Sequence, residues 1–218
     1  ARGRIPPSLS MGSVSPVIVV TDTPPPTATA RRSVIESRWL VALAALWGLA
    51  EATVFFVVPD VLLTLVAARM PRLAIPHIAA ITLGAVAGGV LMFAWAARDA
   101  QSAIALVHRV PFVPESMFDQ AEQNLERYGI WGVAAGPTAG LPYKVYAVVA
   151  PRHASLPTFA MVSIPARAYR LVVMAAVAMA CGWVARRYCR SPNRVILVTH
   201  IALWTAFYLW YWAKVGNP

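Results

Sequence analysis

Residues 73–97, LAIPHIAAITLGAVAGGVLMFAWAA, carry no ionisable side chain apart from His77. An apolar run of that length is long enough to cross the roughly 30 Å hydrocarbon core of a bilayer, which takes about twenty helical residues. Two further runs, 158–183 and 195–213, have similar length. Backbone polar groups in lipid must be satisfied within the segment, so these runs predict an all-α integral membrane protein with about three spanning helices. Composition agrees: 13% of residues are charged and 59% hydrophobic, against about 25% charged in a soluble domain.

Two other apolar regions are broken. Residues 39–58 contain Glu51 and stop at Pro59-Asp60, and the following piece, 61–70, is too short to cross alone. Residues 130–150 include GPTAGLPYKVYAVVA, where Gly136, Pro137, Gly140 and Pro142 interrupt the helix and Lys144 adds a cation. Each region reads as a hairpin that enters the membrane and returns, with breaks at Pro59 and at Gly136-Pro137 and Gly140 to Pro142. Hairpin followed by span occurs twice and in opposite sense, an inverted-repeat arrangement of two opposed re-entrant helical hairpins. Transporters with inverted repeats bind substrate near the midplane, between discontinuous helices. The two halves share no evident identity, so the repeat rests on pattern alone.

The chain divides into a Pro-, Ser- and Thr-rich tail (1–37), expected to be disordered, a membrane domain (38–183), and an Arg-rich loop with a C-terminal spanning helix (184–218). The tail lacks an apolar run long enough for a signal peptide, and Met11 is a candidate translation start. Between the spans, ESMFDQAEQNLERYG places Met117, Phe118, Ala121, Leu125 and Tyr128 on one face of an interfacial helix that Gly129 stops. Gly84 and Gly88 are spaced as GxxxG, which lets two helix backbones approach closely.

Cations exceed acids by ten. With the N-terminus in the cytoplasm and both hairpins re-entrant, eleven cations fall on the cytoplasmic side, five outside and three in the membrane, the positive-inside bias expected of such a protein. That assignment accounts for the basic balance without a nucleic-acid partner. The preponderance of Arg over Lys and the many Ala suggest a GC-rich bacterial genome, and the expected location is the bacterial inner membrane with the N-terminus cytoplasmic. Two cysteines give neither a disulfide framework nor a metal site. No cofactor and no enzymatic motif of the hydrolase, metalloprotease or ATPase kind is expected.

Five ionisable residues lie at or near membrane depth: Glu51, Asp60, Lys144, Arg167 and Arg170. Each would cost about 2.5–3.5 kcal/mol unpaired at a helix centre, so they must pair, face water or hold a ligand. Arg167 and Arg170 are i,i+3 and share a helix face. Glu51 can neutralise one guanidinium, and a phosphate suits the Arg fork better. Lys144 offers a third cation, with Tyr143 beside it. The expected roles are substrate binding by Lys144, Arg167, Arg170 and Tyr143, and proton coupling by Glu51 and Asp60. The alternative is purely structural: the arginines bonded to Glu51, Asp60 or carbonyls, Asp60 at a hairpin tip, and Lys144 snorkelling to the surface.

In order, EATVFFVVPD (51–60), LGAVAGGVLMFAWAARD (83–99), ERYGIWG (126–132), LPYKVYAVVA (141–150) and IPARAYR (164–170) resemble the DedA superfamily, the SNARE-associated Golgi protein or VTT-domain group. The PYK and R-x-x-R elements are closest to its YqaA-like branch. The resemblance implies opposed re-entrant hairpins flanked by spanning helices, and movement of phospholipids or polyprenyl phosphates across or within a bilayer. Glu51 matches the acidic position of the first hairpin, and Lys144 the second Arg of the bacterial R-F-x-P-x-x-R motif, whose first Arg falls at Thr138 here. The expected function is a lipid translocase binding an anionic headgroup at a midplane site. Its expected partners are lipids with phosphate headgroups, with homo-oligomers an option. The rival readings are a non-transporting scaffold or accessory subunit and a proton-coupled exchanger of a small solute.

Overall fold

The computed structural model describes the backbone of residues 28–215 and, within them, the side chains outside 28–37, 137–139 and 215. Among the described residues the chain is all-helical, with three helical stretches long and apolar enough to cross a membrane, Pro71–Ala96, Leu156–Tyr188 and Pro192–Lys214. They match the three uninterrupted apolar runs. The helices are α1 (Ala28–Glu51), α2 (Asp60–Arg69), α3 (Ala74–Ala96), α4 (Ala100–His108), α5 (Ser116–Tyr128), α6 (Gly132–Ala139), α7 (Tyr143–Val149), α8 (Leu156–Tyr188) and α9 (Pro192–Val215).

Local chemistry sets several boundaries. Asp99 caps α4 by accepting from the Ser102 N–H at 3.0 Å, and Ser155 caps α8 on the Thr158 N–H ahead of Pro157, both satisfying donors that a helix start leaves free. Gly129 ends α5 at φ +58, where a side chain would be strained. Helix α1 begins at Ala28, ten residues inside the segment expected to be a tail; residues 1–27 lie outside the described residues. The loop expected to be Arg-rich is short: Arg186 and Arg187 complete the last turn of α8, and Arg194 lies in the first turn of α9.

The GxxxG expectation has a partner. A Cβ at Gly84 would overlap the Ala45 carbonyl oxygen, and one at Gly88 would come within 2.7 Å of the Leu49 carbonyl oxygen. Gly48 of α1 returns the contact against the backbone of Ile81. Glycine on both sides thus brings α1 and α3 into backbone contact, where dispersion and close packing substitute for a hydrophobic driving force that lipid does not supply. Gly182 of α8 meets the Ala68 backbone of α2 in the same way, and Arg186 donates to the Ala68 carbonyl at 2.6 Å beside it.

Two buried clusters organise the interior. One, with Leu63, Ile81, Leu171 and Ala175, joins α1, α2, α3 and α8; the other, with Phe93, Phe118, Leu125, Tyr146 and Phe159, joins α3, α4, α5, α7 and α8. Helix α5 buries Phe118, Ala121 and Leu125 as its periodicity predicts, but against α6 and α7, while Tyr128 is half exposed and departs from the expected face. Helix α9 is the exception: few of its residues are buried, and it lies against α2 and α8.

Candidate functional site

The break between α1 and α2 spans 52–59 and is held by side chains from three other places. Trp47 of α1 donates its indole N–H to the Val57 carbonyl at 2.9 Å. The Val58 N–H donates to the Tyr208 hydroxyl of α9 at 3.0 Å. Lys144 Nζ of α7 donates to the Phe55 carbonyl at 2.6 Å. Irregular backbone leaves N–H and C=O groups without helical partners, and these three bonds satisfy some of them away from water. Pro59 then opens α2, as expected.

The second break is at Gly140 to Pro142. Gly140 takes a left-handed conformation (φ +74) and Pro142 an extended one, so that α7 starts anew at Tyr143. The expected break at Gly136-Pro137 is corrected: both lie inside α6. Pro137 lies in the last turn of a helix only eight residues long, which Gly140 and Pro142 terminate instead. Gly136 has a packing role, because a Cβ there would come within 2.6 Å of the Tyr146 ring.

All five ionisable residues meet at these breaks. Arg167 donates to Glu51, a pair of side chains each only 6% exposed. Arg170 donates to Asp60, whose side chain is 1% exposed. Lys144 is buried beside them. Each arginine thus has a carboxylate, the pairing that the structural alternative expects, and this removes the repulsion between the two guanidiniums. Three cations meet two carboxylates, and the cation left without an acid is Lys144, with one of its three N–H donors spent on a neutral carbonyl.

Tyr143 supports the site through its ring. The Arg167 guanidinium lies 5.0 Å from the ring centroid, a cation–π distance, and the ring stacks on Phe159 at 5.7 Å. Its hydroxyl turns toward Gly89 of α3, where a Cβ would occupy its place. Tyr143 thus positions Arg167, rather than offering its hydroxyl to the cavity as a ligand group. Two buried polar atoms at the ion pairs, Arg167 Nε and Asp60 Oδ1, have no hydrogen-bond partner, which is costly unless something else supplies one.

Glu51, Asp60, Tyr143, Lys144, Arg167 and Arg170 all line one cavity of about 1010 Å³. Three of its walls were not foreseen. Tyr208 and Tyr211 of α9 close one side; the sequence LWTAFYLWYW reads as lipid-facing, yet His200, Trp204, Tyr208 and Tyr211 recur at three- and four-residue intervals, the signal of a single face. Trp204 also donates to the Thr64 hydroxyl of α2 at 3.2 Å. Phe112, between α4 and α5, packs its ring on Phe56, Tyr211 and Trp212 and adopts φ +67, a conformation that costs a bulky residue about 1–3 kcal/mol. No motif marks it in the sequence.

Among the described residues no group of histidines, cysteines and acids could hold a metal ion. Comparison with protein-family models, with curated proteins and with solved structures finds no match for the chain.

Proposed function

We propose that the protein is a lipid translocase of the DedA superfamily kind, resident in a bacterial inner membrane with its N-terminus cytoplasmic, that binds a phosphate-bearing headgroup at Lys144, Arg167 and Arg170. The observation that carries this reading is the convergence of five ionisable side chains, drawn from both helix breaks and from α8, on a single cavity with one cation in excess. An anion completes that charge balance, and a lone buried ammonium is otherwise costly.

Helix lengths support the re-entrant, inverted-repeat arrangement. The apolar part of α1, 39–50, is about 18 Å long; α2, α6 and α7 measure about 15, 12 and 10 Å at 1.5 Å per residue. None alone crosses a core of about 30 Å. Arg38 marks the entry of the first pair and Arg69 its exit, which a hairpin returns to one membrane face. On α3 the ionic cluster lies level with Gly88, about 21 Å from the start of that helix and about 12 Å from its end. In this reading the headgroup site is displaced from the expected midplane toward the outer leaflet.

Glu51 and Asp60 would couple transport by exchanging a proton or a partner, Asp60 Oδ1 being the carboxylate oxygen without one. Reconstitution into vesicles and dithionite quenching of labelled phospholipid test the proposal. Wild type is expected to move lipid at least about tenfold faster than Lys144→Ala or Glu51→Gln; equal rates in all three would overturn it. The scaffold reading has one observation in its favour, the neutralisation of both guanidiniums by internal carboxylates. It expects background lipid movement from every variant, wild type included.

A further inference from the structure

The cavity does not end at the charges. From Arg167 and Arg170 it follows α8 past Met174, Cys181 and Ala185, and on its other side it is walled by one stripe of α9. Arg167 and Ala185 are eighteen residues apart on one helix, about 27 Å at 1.5 Å per residue. A volume of about 1010 Å³ spread over that length has a mean cross-section of about 37 Å². The cavity is thus a narrow slot, with its carboxylates, Arg and Lys side chains at one end and mostly apolar side chains along the rest, Thr199 and His200 of α9 being among the polar exceptions. A small hydrophilic solute has no use for such a slot, because its polar groups would meet no partner over most of the length.

We infer that the slot between α8 and α9 is a binding site for a single long acyl or polyisoprenyl chain, so that the ligand of the Lys144 site is a long-chain anionic amphiphile bound head at the ion pairs and tail toward Ala185. The inference rests on the proposed headgroup site and adds to it a tail subsite formed by α9, a helix beyond the stretch that carries the family resemblance. Charge complementarity fixes the direction: the excess cation is at the Lys144 end, and the slot runs from there nearly the depth of a hydrocarbon core. Burial of methylenes drives such binding from water. The slot gains less over lipid, so selectivity comes from head and tail being satisfied together. Tyr208 couples the two, since it lines the slot and accepts from the Val58 N–H of the first break.

Both cysteines of the chain line this cavity, and Cys181, which is exposed, sits about 21 Å along α8 from Arg167, toward the far end of the slot, as a native reporter. The full chain carrying Cys189→Ser would be placed in phosphatidylcholine nanodiscs, and its maleimide alkylation followed with inorganic phosphate, octanoyl lysophosphatidate, oleoyl lysophosphatidate or oleyl alcohol added. Oleoyl lysophosphatidate is expected to slow alkylation about tenfold more than any of the other three, and Lys144→Ala to abolish that difference. Ala178→Trp, which fills the slot, is expected to remove the protection while leaving calorimetric binding of octanoyl lysophosphatidate unchanged; the chain-length series on the unfilled slot decides the matter if that variant does not fold. Equal protection by oleyl alcohol overturns the inference, because the chain would then bind without the charges. Lys144-dependent binding of phosphate and octanoyl lysophosphatidate without oleoyl protection overturns the tail subsite and leaves the headgroup site standing. Binding of no anion at all overturns both.

Discussion

Lys144 and Arg167 answer different questions about the same cavity. Removing Arg167 alone leaves Glu51 buried without its partner, and breaking a buried pair costs about 3–5 kcal/mol. Arg167→Met is therefore expected to unfold at markedly lower temperature than wild type. Removing both members as Glu51→Met with Arg167→Met restores an apolar, filled site, and thermal stability should return to within about 1–2 kcal/mol of wild type. If the pair were only structural, that double variant would keep whatever function the protein has. Under the translocase reading it is stable and inactive, and a melting curve beside a lipid-flipping assay separates the two. These charges were legible: an ionisable residue in an apolar run must find a partner, and the five side chains named on that ground line one cavity. Which acid meets which arginine was not legible, because Glu51 and Arg167 are 116 residues apart, and only the packing of α1 and of α8 against α3 sets that pairing.

Helix contacts carry predictions of their own. Gly84→Leu would drive its side chain into the Ala45 backbone, and the resulting overpacking is expected to cost about 1–3 kcal/mol, read as a lower melting temperature in detergent. Leu83→Ala, one residue away on an exposed face, should melt near wild type. At the start of α4 the Asp99 carboxyl is held below its ordinary value of 3.8, chiefly by accepting from Ser102. A depressed folded value means that the cap's contribution is fully present above about pH 4 and is lost as pH falls through that depressed value. Asp99→Ala should fray α4 at neutral pH, detected as faster amide exchange over 100–104, and the difference from wild type should shrink in strong acid. Helix α4 itself is absent from the sequence reading because nine residues without a wide apolar stripe give little periodic signal. The GxxxG pair was legible as a contact and anonymous as to partner, since small residues announce close approach without saying to what.

For the whole molecule, the proposed re-entrant arrangement makes a sided prediction. In a cysteine-free background, Arg38→Cys and Arg72→Cys, and Cys189 restored by itself, should all react with an impermeant maleimide added to inside-out vesicles and be protected in right-side-out ones. Threading α1 and α2 straight through would put residues 38 and 72 on opposite faces. The amino-acid sequence alone determined that three helices are long and apolar enough to cross a membrane, and that the charges within its apolar runs had to be reconciled somewhere, because each of these follows from local hydropathy, length and the cost of an unpaired ion. It did not determine the wall that α9 builds, the tether from Tyr208 to Val58, or the aromatic seat of Phe112. Those depend on contacts between residues 56 to 150 positions apart, and an aromatic residue facing lipid and one facing a cavity are the same in sequence. The tertiary structure decided which they are, by laying one stripe of α9 along α8 and leaving a slot between them.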